Sequence, residues 1–205
     1  MARGCSVISI PVEVLIRGNR IFSRLDDEPS STGLVIVKDI LPLALVPALF
    51  LYFGSMQFGW EIGSRTAILM AHEVVIAISV AYFVALFFGL LGLAVLLRWM
   101  APTYDANLEF SRHLVLIAAV ATPMVIGSIA HIYPHVFVNM LAIIPALIWS
   151  MYLLYRGVPT LLETTPQQGM LMASSLIGIV LVAAVTLLGI TVALWTHGFG
   201  PSLGL

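Results

Sequence analysis

Five long apolar runs, separated by short polar segments, organise this chain: Val37–Gln57, Val74–Leu97, Leu114–Ala130, Val136–Tyr155 and Met170–Trp195. About 20 apolar residues at 1.5 Å rise cross a hydrocarbon core of about 30 Å, so each run predicts a membrane-spanning helix. The second is uncharged from Val74 to Leu97, about 36 Å of helix, which leaves Glu73 at the boundary rather than in hydrocarbon. In that run Ala77, Ala81, Ala85 and Gly89 recur every four residues. Membrane helices approach closely through such small faces, so the second helix is expected to pack centrally.

Prolines interrupt several runs: Pro42 and Pro47 in the first, Pro123 in the third, Pro145 in the fourth. Each lacks a backbone donor and is expected to bend its helix or free a carbonyl. Thr122, just before Pro123, offers a hydroxyl to such a group. Asn139 in the fourth run is expected to hydrogen-bond between helices. Lys38 and Asp39 fall early enough in the first run to stay at the interface as a surface pair.

Ahead of the first run, Pro11 to Leu25 has the pattern of a short amphipathic helix. Val14, Ile21, Phe22 and Leu25 fall near one face, and Arg17, Arg20 and Arg24 line another. Such a helix would lie on the membrane surface, each Arg gaining on the order of 1 kcal/mol beside anionic lipid. The acidic and Pro/Ser/Thr/Gly stretch from Asp26 to Gly33 is a polar hinge. Trp60, Arg98-Trp99, Arg156 and Trp195 stand at run ends, where aromatic and basic anchors meet the interface. The expected architecture is all-α: a polytopic bundle of five transmembrane helices with that short interfacial helix. Its parts would be an N-terminal cytoplasmic arm over residues 1–33, a five-span domain over 34–197 and an outside tail over 198–205.

Charge orients the bundle. With a cytoplasmic N-terminus, the inside segments hold Arg3, Arg17, Arg20, Arg24, Lys38, Arg98, Arg112 and Arg156, and the outside segments hold Arg65 alone. Loops rich in Arg and Lys are retained in the cytoplasm, so an odd number of crossings puts the N-terminus inside and the C-terminus outside. Composition agrees. Hydrophobic residues make up 60% and charged residues 9% of the chain, against about 25% charged in soluble domains. A net charge of −1 gives no basic stripe for nucleic acid. Cys5, the single cysteine, excludes an internal disulfide or a thiolate cluster. Pro11 breaks a weakly apolar start, so no cleavable signal peptide is expected.

Candidate chemistry is sparse. His72, His131, His135 and His197 fall on the outside, and a helical turn would aim His131 and His135 at one metal. Pro134 between them disturbs that turn, and Glu73 is the one evident further ligand for a site that needs about three or four. Interfacial histidines without a metal are the simpler expectation. Glu73 beside His72 could accept a proton at the mouth of a pathway, yet no second acid lies deep in a span to continue it. Ser174-Ser175 has no flanking catalytic motif, and His113 is the sole inner-side histidine. No phosphate-binding loop, dinucleotide fingerprint or HExxH string occurs. Neither an enzyme nor a cofactor is expected.

Several strings, taken in order, resemble the Yip family (Ypt/Rab-interacting membrane proteins) in its short bacterial form, from Pro11 to Trp195. They are the proline-bearing first run containing Pro42 with its Gln57-Phe58-Gly59-Trp60 exit, then Ala121-Thr122-Pro123, then Tyr133-Pro134. The most specific is Tyr152-Leu153-Leu154-Tyr155-Arg156-Gly157-Val158-Pro159. The resemblance implies five spans with a cytoplasmic N-terminus. Asp39-Ile40-Leu41-Pro42 and Ala121-Thr122-Pro123 depart from the Asp-Leu-x-Gly-Pro and Gly-Tyr-x-x-x-Pro patterns of eukaryotic members, so GTPase binding is not carried over. The function expected is a non-enzymatic scaffold or membrane-organising protein of the bacterial inner membrane. Its partners would be membrane lipids and a membrane protein or a second copy. The alternatives are a small channel or transporter lined by proline-bearing helices, and a lipid-handling protein.

Overall fold

Every apolar run becomes a helix, and each helix extends beyond its run at one end or both. The computed structural model describes residues 31–59, 71–133 and 135–197, apart from the side chains of Leu194 and Trp195. The helices are α1 (Thr32–Phe58), α2 (His72–Met100), α3 (Phe110–Gly127), α4 (Val136–Leu161) and α5 (Pro166–Thr196). Short 3₁₀ turns, Ala101–Tyr104 and Ser128–Ile132, follow α2 and α3. No strand occurs among the described residues. All five helices are long and apolar enough to cross a membrane. By length, turns beyond about 20 residues would reach the polar boundary, where water and headgroups no longer penalise polar side chains. The segment with Arg17, Arg20 and Arg24, expected as an interfacial helix, lies outside the described residues, as do Trp60, Pro134 and residues 198–205.

Local chemistry sets the ends of α1. Ser31 caps it, its hydroxyl accepting from Leu34 N–H at 3.4 Å. Residues Ile36–Ile40 then form a π turn, in which Leu41 N–H reaches back to Ile36 O. Pro42 follows at once. It has no N–H for Lys38 O, and its ring would crowd that carbonyl in a tight α turn, so widening the turn relieves the conflict. The helix runs unbroken through Pro47 and stops at Gly59, whose φ of 69° suits a residue without Cβ.

The two ends of the bundle differ. Lys38, Arg98, Arg112 and Arg156 mark a basic end; His72, His131, His135 and His197 mark a histidine end. The fully buried core belongs to the basic half: Ile40 and Leu43 of α1, Ala94 and Leu97 of α2, Leu114 to Ala119 of α3, Leu153 and Val158 of α4, Met172 and Ala173 of α5. Six consecutive buried residues exceed one helical turn, so α3 is enclosed on every side there. It packs on α1, α2 and α4, while α5 leans on α4 and on the Ala101–Tyr104 turn. From Gly178 to Ala193, α5 is exposed at every position.

Three expectations are corrected. The helices with most cover are α1 and α3, each 44% buried over its most apolar window against 11% for α2. Ala77, Ala81, Ala85 and Gly89 all face outward, and α2 packs instead through Val75, Ser79, Ala94 and Leu97. Asp39 is also not a surface residue: it is 3% exposed, because the π turn rotates it inward against the neighbouring helices, while Lys38 is half-buried. Of the in-span prolines, Pro47 and Pro123 are buried, Pro42 is half-buried and Pro145 is exposed. Thr122 donates its hydroxyl to Ala118 O at 2.8 Å, one position short of the Ala119 carbonyl that Pro123 leaves without its usual partner.

Candidate functional site

At the histidine end, a network grows from His131 in the turn after α3. Asn139, in the first turn of α4, donates its amide N–H groups to His135 O at 3.0 Å and Tyr133 O at 3.4 Å. That fixes its orientation, so Oδ1 accepts from His131 Nδ1–H across 2.5 Å. The other ring nitrogen, Nε2, then accepts from Tyr82 O–H of α2 at 3.4 Å. Asn139 thus closes the α3–α4 turn and, through one imidazole, ties it to α2. The expected bond between helices is made indirectly.

Nearby, Tyr52 of α1 meets His72 Nε2 of α2 at 3.0 Å. His135 caps α4 by accepting Phe137 N–H at 3.2 Å, and its ring stacks on Tyr133, which meets Phe58 edge-on. Each histidine therefore has its own partners. His131 and His135 do not converge, and among the described residues no group of three His, Cys, Asp or Glu is placed to hold a metal. Glu73 is exposed in the first turn of α2, where the helix dipole favours an acid.

At the basic end, Arg112 acts as a strap. Its guanidinium reaches Glu163 at 2.7 Å, Glu109 at 3.4 Å and Leu161 O at 3.2 Å, joining the start of α3 to the α4–α5 turn. Asn107 reinforces the joint, its backbone N–H donating to Leu162 O and its side-chain amide to Glu163. Gln168 donates to Asp105 at 2.8 Å, and Thr164 donates to Tyr104 O at 2.6 Å. Asp105 and Glu163 hold positive φ, 47° and 52°, and these bonds help keep both turns in that unfavoured conformation.

The most specific string of the sequence lies on the α4–α5 seam. Gly157 is buried, Pro159 sits against Gly169 of α5, and Tyr155 hydroxyl meets Ser174 Oγ at 2.9 Å. Ser175 pairs with Tyr104 at 2.8 Å, so neither serine faces a base. Tyr152 lies beneath the Arg156 guanidinium at 5.9 Å, and Phe110 beneath that of Arg98 at 5.7 Å. Trp99 is 74% exposed beside Arg98. His113 is fully buried; its Nδ1–H donates to Glu109 O at 2.9 Å, and its Nε2 has no hydrogen-bond partner.

The histidines and boundary arginines stand out in the sequence, whereas Tyr52, Tyr82 and Tyr104, and Gly54 of α1, which faces the backbone carbonyls of His131 and Ile132, do not. Their partners lie tens of residues away, and periodicity carries no signal for such pairs. Gly54 had a local hint only in being a small residue near a helix end.

The sequence model of the Yip1 domain matches residues 12–188. The inner membrane protein YohC of Escherichia coli strain K12 is 28% identical over 160 residues, 78% of this chain and 82% of that protein. YohC of Escherichia coli O6:H1 matches to the same extent. No solved structure matches the chain.

Proposed function

The chain belongs to the Yip1 domain family, and from that premise we propose that it is a non-enzymatic scaffold that organises partners laterally in the bacterial inner membrane. The location follows the name of its relative YohC, an inner membrane protein. One observation carries the reading. The smooth faces that suit close helix packing are left uncovered by the chain itself. Ala77, Ala81, Ala85 and Gly89 form such a face on α2, and a Cβ added at Gly89 or Gly92 would meet nothing within 4 Å. On α5, Gly178 and Gly189 are equally open. Lipid tails are as apolar as leucine, so a helix gains little by presenting a flat face to them and more by close contact with another helix.

The hydroxyls of Ser174 and Ser175, bonded to tyrosines, support a non-catalytic role. Lipid is the second partner, met by Arg98, Trp99 and Arg156 at the boundary, with Arg17, Arg20, Arg24, Trp60 and Trp195 assigned the same role from sequence. In this reading the basic end faces the cytoplasm. Photocrosslinking in native membranes tests the lateral contact. In a Cys5→Ser background, Ala81→Cys or Ala85→Cys carrying a benzophenone maleimide should capture a partner or a second copy, while buried Ala94→Cys should not. Recovery of monomer alone from both exposed positions would refute the scaffold.

A further inference from the structure

At the basic end, the carboxylates of the turns are already bonded within the chain. Glu109 and Glu163 are held by Arg112, and Asp105 by Gln168. Arg98 and Arg156 differ. Both are exposed, and neither has a carboxylate or carbonyl partner among the described residues. Their guanidiniums lie instead over the rings of Phe110 and Tyr152, at 5.7 and 5.9 Å from the centroids. A cation resting on a ring is positioned by the ring's face and keeps its N–H groups for another acceptor. Arg98 lies in the last turn of α2, where an uncharged helix leaves hydrocarbon, and exposed Trp99 adjoins it.

We infer that Arg98 and Arg156 are two phosphate clamps for anionic phospholipid in the leaflet that the basic end meets. The planar fork of arginine matches phosphate oxygens in pairs, which a point charge does not. With the neighbouring carboxylates engaged by Arg112 and Gln168, both guanidiniums keep their N–H groups for an anionic headgroup, whereas a zwitterionic one brings its own competing cation. The inference rests on the proposed lipid contact at this end and not on lateral association between helices.

Native mass spectrometry of the full chain, given equal amounts of phosphatidylglycerol and phosphatidylcholine, tests it separately from crosslinking. The wild type should retain phosphatidylglycerol in preference. Arg98→Gln and Arg156→Gln should each reduce that retention several-fold, and the double variant should bring it to the phosphatidylcholine level. Arg98→Lys, which keeps the charge without the fork, should fall between; it decides the matter if Arg98→Gln lacks the helical circular dichroism of the wild type. Undiminished retention in the double variant, or in Arg98→Lys when that variant decides, would overturn the clamps, as would equal retention of both lipids by the wild type. Displacement of the lipid by millimolar glycerol phosphate or inorganic phosphate would also overturn them, because it would mark a site for a soluble anion.

Discussion

A methyl group at position 54 would collide with the backbone carbonyls of His131 and Ile132, which cannot swing aside as a side-chain tip can. Replacing Gly with Ala inside a helix ordinarily gains up to about 1 kcal/mol. Overpacking costs about 1–3 kcal/mol or more, and here the obstacle is backbone. The collision wins. Gly54→Ala should therefore lower the thermal midpoint measured by circular dichroism in detergent, whereas Gly89→Ala, with open space around it, should leave it level or raise it slightly. A second residue-scale prediction concerns Asn139. Asn139→Leu removes the acceptor for His131 and the donors to two carbonyls, at about 1–3 kcal/mol for the partly buried groups left unpaired. A midpoint unchanged from wild type would show the network to be incidental. At this scale the sequence was informative about where histidines sit and uninformative about what they bond. Asp39 shows why: its burial follows from the π turn, and that turn answers to Pro42 three residues later.

At the scale of helices, the five apolar runs were legible because a bilayer demands length and tolerates almost no charge, and both are local properties of sequence. Which face of each helix is covered was not legible. In a soluble protein, polarity separates the buried face from the exposed one; in lipid both are apolar, so the Ala77–Gly89 stripe looked like a core-facing seam and is not. The seam that does exist between α4 and α5 rests on Gly169, where an added Cβ would stand 2.9 Å from Pro159 Cβ. A proline ring yields little. Gly169→Leu should push α5 off α4 and break the Tyr155–Ser174 and Tyr104–Ser175 bonds, which hold the one stretch of α5 that is packed. Faster protease cleavage in the turn before Pro166, with the overall helix signal retained, would be the signature. Protection equal to wild type would mean that α5 is held by something other than this contact.

For the whole molecule, the core gathered at the basic end and the bonded turns there make one face the structural anchor, while α5 stands clear at the other. Which face meets the cytoplasm depends on charges counted over short loops. That rule counts every Lys and Arg, so Arg112 orients the chain although its charge is matched by Glu109 and Glu163. With eight basic residues on one side and Arg65 alone on the other, the basic end should be cytoplasmic. The five crossings then put Ser31 and His197 in different compartments. In a Cys5→Ser background, a membrane-impermeant maleimide should label His197→Cys in cells with a permeabilised outer membrane. Ser31→Cys and Thr164→Cys should react only after the inner membrane is breached. Thr164 is the stricter probe, because it lies in the turn that Arg112 straps to α3 and so reports the face carrying the core. Labelling of Thr164→Cys before lysis would place that face outside, and with it the proposed contacts of Arg98 and Arg156 with the cytoplasmic leaflet would move to the opposite side.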